Sequence, residues 1–140
     1  MIILDTNVLS EVIRREPDES VLMWLDSLPA EEVATTAITA AELLHGVARL
    51  PDGHRKTALT EAVNAVVHND FHGRVESFDM LAANEYAAIV SRRDMAGRPI
   101  TMADAQIAAI CRSRHATLAT RNTKDFLNTG VELVDPWRLT

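Results

Sequence analysis

Cysteine is almost absent: Cys111 is the only one in 140 residues, so no internal disulfide can brace the chain. It lies in the run Ala108-Ala109-Ile110-Cys111, where a thiol reads as a small core residue, and a single unpaired thiol suits a reducing compartment. Aromatics make up only 4% of the residues, too few for a long base-stacking platform. Five glycines are scattered without forming a phosphate-cradling loop, and GxGxxG, CxxC and HExxH are all missing. The serines stand in no nucleophile-elbow context, and no Cys–His pairing is visible. No apolar run approaches the length needed to cross a bilayer, and the first residues lack the basic and cleavage regions of a secretion signal. Positive charge is also in deficit. Fourteen Lys and Arg face 20 Asp and Glu, for a net charge of −6. That balance excludes broad, non-specific affinity for nucleic acid, though not a local basic groove or a site where cations neutralise carboxylates.

What remains is 47% apolar content, largely Ala, Val, Leu and Ile, in a chain sized for one domain, residues 1–140. Short β-branched or apolar runs alternate with helical patterns. Strands are expected at Ile2–Leu4, Glu32–Thr36, Arg74–Phe78, Ala116–Thr120 and Val131–Val134. Helices are expected at Val8–Arg15, Ser20–Leu28, Ala40–Leu50, His54–His68, Met80–Ala96 and Met102–Arg114, with a short one at Thr123–Leu127. Asp18 and Asp79 are natural caps, and Gly97 is a natural stop, with Pro99 beyond. This alternation predicts an α/β fold, a three-layer α/β/α sandwich around a parallel sheet of about five strands.

Asp5 is the only ionised side chain in the opening segment. It ends the apolar strand Ile2–Leu4 and precedes a helix for which Thr6 or Asn7 supplies the cap. Ligands of open α/β sheets bind at that strand edge. Three other segments place an acid in a first helical turn: Thr39–Glu42, Thr101–Asp104 and Asn122–Asp125. Each fits the capping-box spacing, so each acid has a structural explanation of its own. Asp5 has none. The neighbours of Glu42 and Asp104 are small or apolar, and converging, poorly hydrated carboxylates repel unless protonated or bridged by cations. An all-oxygen cluster suits Mg²⁺ or Mn²⁺ rather than Zn²⁺. His45 shares the face of Glu42 and reads as a surface or half-buried residue; His54, His68, His72 and His115 fall in turns or at helix ends.

The segments Ile3–Leu9, Thr39–Gly46, Asp104–Ala108 and Leu118–Asn122 with Asp125-Phe126, followed by Val134-Asp135-Pro136-Trp137, resemble PIN-domain ribonucleases. Within these the chain is most similar to the VapC/FitB-type toxins of bacterial toxin–antitoxin pairs. The resemblance implies a PIN-like fold and Mg²⁺- or Mn²⁺-dependent endonucleolytic cleavage of RNA. It implies that Asp5, Glu42 and Asp104 hold the metal, with Thr6, Asn7 and Thr120 as polar support. Many members carry a fourth acid where this chain has Asn122, an amide that can still position a water. Asp125 is a possible substitute, but capping of Asn122 is its simpler role. Arg121, Lys124 and Arg98 are candidate RNA contacts.

The lone thiol suits a cytoplasmic protein; the resemblance further implies a homodimer and a small antitoxin that covers the acids and mediates contact with promoter DNA. Val21, Leu22, Trp24 and Leu25, with the hairpin Leu43–Val67, are candidates for the partner groove, though ordinary core packing explains them equally well. Two other functions stay open. A catalytically degenerate PIN module would serve only as a binding partner, a reading that Asn122 keeps alive. A haloacid-dehalogenase-like phosphatase also has an Asp after its first strand, but needs a second acid where Asn7 stands.

Overall fold

The computed structural model describes residues 1–71 and 73–139; His72, to which no role was given, lies outside them. Five strands, β1 (Ile2–Leu4), β2 (Val33–Thr36), β3 (Val75–Glu76), β4 (Thr117–Ala119) and β5 (Glu132–Val134), form one sheet in the order β3-β2-β1-β4-β5. Every pairing is parallel, with Ile3 opposite both Ala34 and Leu118. Six α-helices connect or cover them: α1 (Thr6–Val12), α2 (Glu19–Asp26), α3 (Ala37–Ala48), α4 (His54–Asn64), α5 (Met80–Met95) and α6 (Met102–Ser113).

Parallel strands bury both faces, so successive residues must serve different cores. Ile3, Ala34, Leu118 and Leu133 pack with α5 and α6, alongside Ile89, Ile107 and Phe126. Their sequence neighbours Leu4, Val33, Ala119 and Val134 pack on the other face, with Val8, Val21, Leu43 and Val63 from α1 to α4. The result is the α/β/α sandwich expected from the sequence. The scarcity of aromatics has a counterpart in α6, where Ala105, Ala108, Ala109 and Cys111 are fully buried. Small side chains there let α5, α6 and the sheet approach closely. Cys111 is core, and burial pushes its thiol pKa well up, which makes it inert.

All five strands were found from the sequence; β1 has the expected bounds, and the other four are one to three residues shorter than expected. One helix differs more. The segment His54–His68 does not continue as a single α-helix; α4 ends at Asn64 and widens into a π-helical turn, Ala65–Asp70, that buries Val66 and Val67. Gly97 closes α5 as expected, with φ +69°. Its N–H donates to the Asp94 carbonyl and the Arg98 N–H to that of Arg93, a Schellman stop. Among the described residues no helix is long and apolar enough to cross a membrane.

Leu118 is wholly buried on the interior strand β4, between β1 and β5. Leu118→Ala is expected to destabilise the fold by about 2–5 kcal/mol, measured by urea unfolding.

Candidate active site

The strand order reverses direction at β1, so the carboxyl ends of β1 and its neighbours open a crevice. Asp5 stands in that crevice, 5% exposed, and its environment explains how a carboxylate survives there. Asp5 is itself the N-cap of α1, correcting the expectation that Thr6 or Asn7 supplies the cap. Its Oδ1 accepts the Thr6 N–H at 2.8 Å. Its Oδ2 accepts the Thr120 hydroxyl at 2.8 Å and the Asn7 amide at 3.3 Å. The Thr120 hydroxyl is then saturated: its one hydrogen goes to Asp5, and its oxygen receives the Asn7 amide (3.2 Å) and the Asn122 N–H (3.0 Å). Asn7 Oδ1 accepts the N–H of Arg121 at 3.2 Å. One network therefore joins the ends of β1 and β4.

Glu42 arrives from the next strand by a different route. The helix after β2 starts earlier than Thr39-Ala40-Ala41-Glu42 suggests. Thr36 is the cap, accepting the Thr39 N–H at 3.1 Å, so Thr39 is a buried residue inside α3. Glu42 consequently sits in the second turn and fills no cap. Its Oε1 accepts the Thr6 hydroxyl at 2.7 Å, and the hydroxyls of Thr6 and Thr39 lie 3.1 Å apart. Asp104 conforms to the sequence reading, for Thr101 caps α6 by accepting the Asp104 N–H at 3.2 Å.

Asp5, Glu42 and Asp104 line one open cavity of about 470 Å³, shared with Thr6, Asn7, Ser10, Glu11, Arg14, Arg121, Asn122 and Trp137. The carboxylates feel one another. Burial and the neighbouring Asp5 charge, with smaller contributions from Asp125 and Glu42, raise Asp104 to about 6. Burial raises Asp5 as well, with the Glu42 charge adding to it, against the hydrogen bonds from Thr120, Thr6 and Asn7.

The remaining candidates divide. Asn122 lines the acidic cavity, but its side chain caps nothing, and the Asp125 N–H reaches its carbonyl instead (3.0 Å). The expected capping of Asn122 by the Asp125 carboxylate is thus not made; Asp125 is exposed beside a second cavity with Lys124, Asp135 and Arg138. Arg121 borders both cavities, Lys124 only the second, and Arg98 neither. Val21 is core, while Leu25 lines a separate apolar cavity of about 290 Å³ with Leu9, Val12, Leu28 and Phe71. His45 is exposed and lies outside the acidic cavity.

Sequence reasoning missed three contributors. Trp137 closes one wall from beyond β5. Glu11, 5% exposed, holds Arg14 through two 3.1 Å bonds and accepts the Asp18 N–H at 3.0 Å. Arg93 is also buried, on the inner face of α5 with Ala82 and Ile89. It donates to the carbonyls of Arg98 (2.6 Å), Asp125 (2.8 Å), Leu127 (2.9 Å) and Pro99 (3.4 Å). This ties the approach to α6, which carries Asp104, to the turn after Asn122. An arginine in register with an apolar helical stripe was the available signal.

Residues 2–132 match the PIN domain family. The chain belongs to the PIN-domain family. This PIN domain is 44% identical over 137 residues to toxin FitB of Neisseria gonorrhoeae, covering 98% of the chain and 99% of FitB. It is 39% identical over 137 residues to the VapC ribonuclease Y4jK of Sinorhizobium fredii, covering 98% of each. Among solved structures it is similar to FitAB bound to an IR36 DNA fragment, with TM-score 0.93, 43% identity, and coverage of 100% of this chain and 98% of the other.

Because folding raises the Asp104 pKa, the native state binds protons more tightly than the unfolded chain between about pH 4 and 6. The charged form therefore costs stability above that window and the cost vanishes below it. In EDTA, Asp104→Asn is expected to melt at a higher temperature than the unsubstituted protein at pH 7.5, the gap closing as pH falls towards 4. A gap that stays constant with pH excludes carboxylate crowding as its cause.

Proposed function

We propose that this PIN domain is a metal-dependent endoribonuclease that acts as the toxin of a toxin–antitoxin pair. The observation that carries the reading is the assembly of Asp5, Glu42 and Asp104 on one cavity at the carboxyl edge of the sheet. Its similarity to a protein named a VapC ribonuclease and another named a FitB toxin supports the same assignment.

Among the described residues no three Asp, Glu, His or Cys side chains are drawn together closely enough to hold a metal ion by themselves. Mg²⁺ does not require that, since it keeps several waters and binds through one or two carboxylates. The donors are hard oxygens, two of them are raised in pKa by burial and mutual repulsion, and the cavity is open. These features fit Mg²⁺ or Mn²⁺, held by Asp5, Glu42 and Asp104. When bound, such an ion supplies an activated water and neutralises charge on a phosphodiester.

The chain's own residues do the orienting. Three hydrogen bonds hold Asp5 at one angle, Thr6 does the same for Glu42, and Thr101 starts the helix that presents Asp104. Asn122 offers an amide to the same cavity, where it can position a water without adding a further negative charge. Exposed Arg121 supplies a cation for the RNA backbone.

The antitoxin partner follows from the FitAB likeness, and the apolar cavity that includes Leu25 is the candidate seat for one of its segments. A second reading, a PIN module that binds but does not cut, draws on Asn122 standing where a further acid would complete the set.

Cleavage of structured RNAs in Mg²⁺ or Mn²⁺ decides between them. Asp5→Asn and Asp104→Asn are each expected to lower the rate by about 10²-fold or more while the protein stays folded by circular dichroism. EDTA is expected to stop the reaction and excess Mg²⁺ to restore it. Cleavage that survives either substitution or EDTA overturns the mechanism; no cleavage by the unsubstituted protein, with antitoxin binding intact, establishes the second reading.

A further inference from the structure

Two cations line the acidic cavity, and they are not equivalent. Arg14 is committed to Glu11 by two hydrogen bonds of 3.1 Å. Arg121 forms no ion pair among the described residues, although Asp5, Glu42 and Asp104 share its cavity. A long cationic side chain beside three acids is drawn towards them unless something holds it. Trp137 does so: the Arg121 guanidinium carbon lies over its ring, 4.9 Å from the centroid. The ring is itself braced. It packs against the core, and the Trp137 main-chain N–H, which fixes the backbone that carries the ring, donates to Asp135 Oδ1 at 2.9 Å. The Arg121 main chain is fixed at the other end by its N–H bond to Asn7. Held over the ring and paired with no acid among the described residues, the guanidinium keeps its N–H donors available, and their planar fork matches two phosphate oxygens.

We propose that Arg121, held over the Trp137 ring, receives a backbone phosphate of the RNA at the rim of the acidic cavity, and that Trp137 is a positioning residue acting through Arg121. The proposal rests on the ribonuclease reading of that cavity. It separates Arg121 from Lys124 and Arg138, which border only the neighbouring cavity, whereas Arg121 also lines the acidic one. It also gives the indole a task other than stacking a base, since the ring packs against the core and carries the guanidinium.

The test is fluorescence anisotropy of a fluorescein-labelled single-stranded RNA dodecamer over a range of KCl, with Ca²⁺ replacing Mg²⁺ and the probe checked on gels for integrity. Arg121→Ala is expected to weaken binding and to lower the slope of log K against log[KCl] by about 0.7, the loss of one phosphate contact. Trp137→Ala removes no charge, yet is expected to weaken binding, and the double variant to bind no more weakly than Arg121→Ala alone. Trp137→Phe keeps an aromatic face and is expected to restore most of the affinity, which also covers a failure of Trp137→Ala to fold. An unchanged slope in Arg121→Ala overturns the proposal, as does a Trp137→Ala effect of full size in the Arg121→Ala background. If the unsubstituted protein binds no RNA at any salt concentration, the proposal and the ribonuclease reading fall together. If it binds well and Arg121→Ala is indistinguishable from it, only the proposal falls.

Discussion

A carboxylate almost wholly removed from water is the constraint around which this site is built. Asp5 is tolerable only because each of its oxygens is met by donors, and the Thr120 hydroxyl is the part that cannot be exchanged. Serine would preserve the chemistry but not the methyl group that helps fill a fully buried position. Valine would fill the space but leave Asp5, Asn7 and Asn122 each short of a partner. Because Thr120 also receives the Asn122 N–H, the fold of the turn after β4 and the orientation of Asp5 are settled together.

Around that point the molecule accepts an electrostatic cost. Asp104 titrates near 6 because it is buried beside other acids, and Asp5 is raised too. A protein selected for stability alone would not gather these groups. Carboxylates crowded at the edge of a well-packed sheet are a store of unfavourable energy that cations can relieve, and the two cores pressing on the sheet from opposite faces keep the acids from separating.

Much of this was legible in the sequence, for identifiable reasons. The strands are short apolar or β-branched runs between strong helix signals, so their existence and order could be read directly. Asp5, Glu42 and Asp104 could be singled out because Asp5 follows a buried apolar strand and the other two stand among small or apolar neighbours that hydrate them poorly. The errors fall where several residues compete for one role. Thr35, Thr36 and Thr39 all qualify as caps, and only the pairing of β2 decides among them: Thr35 is spent on the Leu4 carbonyl and Thr36 is left to start the helix. The end of α4 was misjudged because nothing local distinguishes an α-turn from a π-turn; the need to bury Val66 and Val67 does. Trp137 was out of reach, since its contact with Arg121 depends on β5 lying beside β4.

Arg93 carries a consequence for how this chain can vary. Its guanidinium recognises main-chain carbonyls at positions 98, 99, 125 and 127 and, among the described residues, no side chain. Any amino acid presents such a carbonyl, so those four positions are free to change identity. Their spacing is not free. One residue inserted or deleted between Gly97 and Thr101, or between Asn122 and Leu127, would slide a carbonyl out of reach and shift Asp104 relative to Asn122. The chain there tolerates substitution and resists changes in length, the reverse of what surface loops ordinarily show.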